Sequence, residues 1–316
     1  MSKSLDFRRA RPWEVALTLL ALSAPFIVPF TAGGDGGLVR KAVAQEMQQA
    51  DTSRLITIGG ALTEIVYALG EEKRLVARDT TSMYPEEALK LPDVGYMRAL
   101  SPEGVIAVNP TAILAIEGSG PADALSVLKS AGIPFETVPE GFDRAAILKK
   151  IDIVGKFLGV PEKAKALEET VGAELDTAIA DAAKRPESER KRVLFILSFQ
   201  NGRIMAAGTH TAADGIIGLA GAVNATDGAF EGYKPLTDEA VINAKPDVVM
   251  VMTRPGAGSS DEEVLAHPAI SVTPAGQNKA VLRMNSLHML GFGPRTASAI
   301  SDLNKELYGK SGNVSQ

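Results

Sequence analysis

From Pro161 to Lys184 the chain carries one unbroken helical pattern, with Ala164, Leu167, Val171, Leu175, Ile179 and Ala182 three or four apart on one face. Pro161 suits a first helical turn, and Pro186 with a charged run closes the segment. At about 1.5 Å per residue such a helix is about 36 Å long, enough to cross a whole lobe. It falls where one series of strands and helices has finished and before another begins. This predicts an α/β fold: two α/β lobes with mainly parallel sheets, joined by one long backbone helix, with a ligand cleft between the lobes. A single helix is stiffer than a pair of extended strands, so only modest closure around a ligand is expected.

The flanking pattern supports two lobes. Before the helix, the β-rich runs Leu55–Ile58, Leu75–Ala77, Ala112–Ile116 and Phe135–Val138 alternate with helical spacing over 61–69, 101–108, 121–131 and 143–158. Strands and helices alternating at these intervals predict βαβ units. After it, Val193–Leu197, a turn at Asn201-Gly202, Ile204–Ala207, a helix over 211–219, a buried strand over 247–252, Val281-Leu282 and a closing helix over 294–307 make a second series. The expected division is 1–44, 45–160, 161–185 and 186–316.

Residues 1–44 read as an export signal. Lys3, Arg8, Arg9 and Arg11 give a basic start, Val15 to Phe30 is mostly apolar, and Ala42-Val43-Ala44 offers a small-residue cleavage site. The chain has no cysteine, which excludes disulfides, thiolate metal sites and a lipidated N-terminal cysteine. A free periplasmic protein, monomeric, is the expectation. Residues 1–44 hold 6 of the 33 basic and 3 of the 38 acidic residues, leaving 27 against 35, a balance of about −8. So acidic a chain, with 5% aromatic residues, is a poor partner for nucleic acid.

Asp79-Thr80-Thr81-Ser82-Met83-Tyr84-Pro85 follows the short strand at 75–77. It reads as a polar loop at a strand's carboxyl end, where ligands gather in α/β folds. Pro85 disfavours the helical region for Tyr84, and a phenol is a hard oxygen ligand for ferric iron, haem iron included. By itself the stretch fits better an ordinary half-buried loop tyrosine with its hydroxyl in water.

One internal repeat stands out. Ser101-Pro102-Glu103-Gly104-Val105-Ile106, then Asn109-Pro110 and a strand, matches Thr237-Asp238-Glu239-Ala240-Val241-Ile242, then Lys245-Pro246 and a strand, 136 residues later. A capping hydroxyl with an acid in the first turn suits any short helix. Two copies at equivalent places instead suggest exposed carboxylates, one per lobe, for docking on a two-fold symmetric partner. Catalytic signals are weak. His210, His267 and His288 lie far apart with no metal-ligand spacing, and neither a nucleophile elbow nor a phosphate-loop lysine occurs.

Together these segments make the chain similar to the periplasmic haem-binding proteins of bacterial ABC importers, within the helical-backbone class that includes cobalamin and siderophore binders. The resemblance is carried by Gly60–Gly70, the Thr80-Thr81-Ser82-Met83-Tyr84-Pro85 loop, Leu91–Ser101, Ala206–Asp214, Gly232–Leu236 and Leu290–Arg295. It implies that Tyr84 is the axial ligand of ferric haem, the transported ligand, and that Arg254 is a cation near the phenolate. It also implies that Glu103 and Glu239 dock the lobes on the ABC permease dimer. His210, at a helix start facing the expected cleft, is the candidate for a second axial ligand. A binder of cobalamin or a ferric siderophore would not need the tyrosine. A haem- or metal-dependent periplasmic enzyme would need an open iron position and a distal acid or base, and none is arranged in the sequence.

Overall fold

The computed structural model describes residues 50–253 and 259–309. The expected export signal with its cleavage site, and Arg254, lie outside the described residues. The first half runs β1 (Leu55–Ile58), α1 (Gly60–Ala68), β2 (Leu75–Arg78), α2 (Pro102–Ile106), β3 (Ala112–Ile116), α3 (Ala122–Ser130), β4 (Phe135–Val138) and α4 (Arg144–Phe157). The long helix α5 (Pro161–Ala183) follows. The second half runs β5 (Arg192–Gln200), β6 (Arg203–Ala207), α6 (Ala212–Leu219), β7 (Val223–Asn224), β8 (Tyr233–Leu236), α7 (Asp238–Ala244) and β9 (Val248–Thr253). It ends with α8 (Asp261–Leu265), α9 (Pro268–Ser271), α10 (Pro274–Gln277), β10 (Val281–Asn285), α11 (Ser286–Leu290) and α12 (Thr296–Tyr308). No helix among the described residues is long and apolar enough to cross a membrane.

The first sheet has the order β2-β1-β3-β4 and is wholly parallel. The second has the order β10-β9-β5-β6-β8, with β7 also on β5. Its β10, β9, β5 and β7 are parallel, whereas β6 runs antiparallel to both β5 and β8. The Asn201-Gly202 turn is the reason: both residues take positive φ (52° and 72°), which closes a tight hairpin instead of a crossover. Strand β8 escapes the sequence pattern because Pro235 sits inside it, tolerable on this outermost strand.

Strict alternation along the strands builds the core. In β3, Ala112, Leu114 and Ile116 face one core, while Ile113 and Ala115 face another. In β9, Val248, Met250 and Met252 face the first of these, while Val249 and Val251 face a third. The shared core also takes Ala164, Val171, Leu175, Ala178 and Ala182 of α5, so this helix joins the two lobes by burial as well as by chain. Helix α4 packs on α5 so closely that a Cβ at Gly155 would lie 2.2 Å from the Ala164 methyl.

Candidate functional site

Loop 79–85 is held by one carboxylate. Asp79 is fully buried, and each of its oxygens accepts two hydrogen bonds. Oδ1 accepts from the Gly59 amide at 2.9 Å and the Ser82 hydroxyl at 2.6 Å; Oδ2 accepts from the Thr81 amide at 2.9 Å and the Thr81 hydroxyl at 2.6 Å. Because a carboxylate only accepts, the hydroxyls behind it are ordered in one direction. Ser82 donates to Asp79, Thr63 donates to Ser82 at 2.6 Å, and Thr57 donates to Thr63 at 2.7 Å. Asp79 and Ser82 therefore form an internal scaffold, and their burial is possible because each of their side-chain oxygens finds a partner.

Two glycines complete the seat. Gly59 has φ +117°, a conformation that side chains avoid, and a Cβ at Gly60 would lie 2.9 Å from the Thr81 carbonyl oxygen. Arg78, at the end of β2, braces the far side. It donates to the carbonyls of Ala88 and Asp79 at 3.0 Å each and pairs with Asp93 at 3.3 Å. Asp93 in turn accepts from the Thr80 hydroxyl and the Gly95 amide, which explains the polar punctuation of the 91–95 segment.

Tyr84 projects from this seat with 45% of its surface exposed, its peptide bond to Pro85 cis. It lines a cavity of about 430 Å³ with Met83, Asn285, Leu287, His288 and Arg295, so residues from both halves of the chain meet there. The Arg295 guanidinium lies over the Tyr84 ring, 3.6 Å from its centroid, within cation–π range. Glu64 fixes that guanidinium in a two-pronged pair, from Nε at 3.0 Å and Nη2 at 2.6 Å. The third nitrogen, Nη1, is 3.3 Å from His288 Nδ1. Arginine can only donate, so Nδ1 accepts, and the imidazole proton sits on Nε2, 3.0 Å from Asp302. Glu64 on α1 and Arg295 before α12 thus tie the two lobes together beneath the tyrosine.

Burial pushes the phenols of Tyr67, Tyr233 and Tyr308 up. For Tyr67 the carboxylates of Glu87 and Glu72 add to it, and for Tyr233 hydrogen bonds from Thr211 and Ala213 oppose it. Tyr84 and Tyr96 are the exposed pair.

The other expected residues fall elsewhere. His210 takes a left-handed conformation (φ 58°), is 79% exposed at its side chain, and turns Nδ1 to Glu231 at 3.1 Å. It does not line the Tyr84 cavity. Glu103 sits in the first turn of α2, where its own backbone amide and the Ser101 hydroxyl hold its carboxyl below the usual range. Glu239 sits in the first turn of α7. Sequence reasoning missed Arg295 and Glu64 as a pair, although both lie in segments quoted above, because 231 residues separate them. Among the described residues, no group of three or more His, Asp and Glu side chains is arranged to hold a metal ion.

Arg295→Leu is expected to cost about 2 kcal/mol in urea unfolding, since it strands the Glu64 carboxylate, which is only 9% exposed. The double variant with Glu64→Leu should recover most of that loss, because it removes the stranded charge as well.

Residues 55–286 match the family described as periplasmic binding protein, and the chain belongs to that family, one of substrate-binding proteins and not of enzymes. The fold is similar to that of a solved structure of the periplasmic heme-binding protein BhuT in complex with two hemes, at 39% identity and a TM-score of 0.76, covering 80% of this chain and 97% of that one. It is also similar to an uncharacterized ABC transporter substrate-binding lipoprotein, YvrC, of Bacillus subtilis, at 27% identity over 82% of this chain and 81% of the relative. The vitamin B12-binding protein of Yersinia pestis is 29% identical over 63% of this chain and 69% of its own length.

Proposed function

We propose that this protein captures ferric haem in the periplasm and delivers it to the permease dimer of an ABC importer. The carrying observation is Tyr84: an exposed phenol on a scaffolded loop, stacked on a fixed cation, at a cavity lined from both lobes. A phenolate is an anionic hard ligand that suits ferric iron, and Arg295 puts positive charge on the ring that would carry the negative charge. Exposed Met83, which lines the cavity with Tyr84 and Leu287, offers apolar surface for a flat macrocycle. Arg254 enters this reading as a further cation for the phenolate, and His210 as the candidate for the second axial position. Glu103 and Glu239, one per lobe, present the loaded protein to basic residues of the permease.

The likeness to a haem-binding protein at 39% identity supports haem as cargo, while the cobalamin-binding relative keeps a second reading in view. Parallel visible titrations separate them. Ferric haem is expected to saturate the purified protein with a tyrosinate-type charge-transfer band, and cobalamin to leave its own spectrum unchanged. Saturable cobalamin binding without haem binding would reverse the assignment.

A further inference from the structure

The two copies of the sequence repeat share their capping, core and turn geometry in the structure. Ser101 and Thr237 cap α2 and α7, each hydroxyl accepting from the amide three residues on at 3.2 Å. Val105 and Val241 are fully buried, each under its own sheet. Asn109 and Lys245 both take left-handed φ (50° and 44°) directly before a proline. Their amides donate to the carbonyls of Ile106 and Ile242 at 2.9 and 3.2 Å. The strands that follow, β3 and β9, each run parallel between two neighbours.

Within this matched frame the isoleucines point outward: Ile106 is 37% exposed and Ile242 is 43% exposed. Each lies three residues beyond a glutamate, hence on the same helix face as Glu103 or Glu239. The exposed large apolar side chains among the described residues number eight. Four of them, Met83, Tyr84, Leu89 and Tyr96, lie in the stretch that carries the ligand loop. The rest are Ile106 and Ile242 with Val127 and Val272, and these valines belong to α3, which packs on α2, and to the end of α9, which packs on α7. Among the described residues, the exposed large apolar side chains thus fall in the 83–96 stretch or on α2, α7 and the helices packed on them.

We infer that Ile106 and Ile242 are apolar docking knobs, each paired with its glutamate. Their partner is the two-fold symmetric permease, which offers one basic residue and one apolar socket per half. This rests on the reading above of delivery to a permease. The glutamates steer an acidic chain onto basic residues, a salt-dependent term, and the isoleucines add the desolvated contact that holds it there.

The test uses the haem-loaded full protein and the haem importer's permease–ATPase complex from the source organism, held in lipid nanodiscs, with binding followed by interferometry. Ile106→Ser and Ile242→Ser should each weaken binding about five- to tenfold, and the double variant about thirtyfold or more, at low and high salt alike. The Ile106→Val/Ile242→Val variant should stay near wild type. All of these should keep the wild-type urea midpoint and haem spectrum. A double serine variant within twofold of wild type, while Glu103→Gln/Glu239→Gln is weakened, would overturn the knobs and leave permease docking standing. Docking that ignores both pairs, or a wild-type protein that does not dock, would overturn the delivery reading and the knobs with it.

Discussion

Tyr84→Phe is expected to weaken ferric haem binding at least about 100-fold and to remove the charge-transfer band. The substitution deletes one oxygen and keeps the ring, so the stack on Arg295 and the seat made by Asp79 remain. At 45% exposure the side chain contributes little to folding, and the urea midpoint should stay within about 0.5 kcal/mol of wild type. The magnitude follows from coordination chemistry. Loss of an outer-shell partner alone typically costs a metal site about 10–100-fold, and loss of a direct ligand should cost no less. Tight binding with an unchanged band in Tyr84→Phe would move the ligand to another residue, with Tyr96 and His210 next to be replaced. A variant that binds weakly and also unfolds early would instead make the tyrosine a packing residue.

The sequence carried the architecture well and the site unevenly. The long helix was visible because Ala164 to Ala182 recur at helical spacing, and the structure keeps all but the last residue of the expected span. The first lobe's strands were visible as buried runs between helices. The second lobe's antiparallel edge was hidden, because its outermost strand, β8, contains Pro235, which interrupts the usual strand signal. Tyr84 could be singled out from its place before a proline after a strand. Its cation could not. The arginine over its ring comes from residue 295, and a contact spanning more than 200 residues leaves no periodicity or local spacing to read. The repeated glutamates were legible in one dimension, whereas the isoleucines beside them became meaningful only once their exposure was known.

Asp79→Ala should be the most damaging single change in the loop, lowering stability by about 3–5 kcal/mol in urea unfolding. It strands four donors at once: the amides of Gly59 and Thr81 and the hydroxyls of Thr81 and Ser82. With the site fully buried, water cannot readily replace the lost acceptor. Asp79→Asn keeps the shape but exchanges an acceptor oxygen for an NH2 group that faces donors, so it should recover less than half of the loss. The ordered hydroxyl chain supplies a graded control. Thr57→Val, at its far end, removes only the donor to Thr63 and should cost about 1 kcal/mol. Ser82→Ala removes a donor to the carboxylate and the acceptor of Thr63 together, and should fall between the two. A flat series, with Asp79→Ala no worse than Thr57→Val, would mean that the carboxylate does not organise the loop. A steep one, with haem affinity falling in the same order while Tyr84 is untouched, would tie the buried acid to the ligand through the geometry it imposes on the tyrosine.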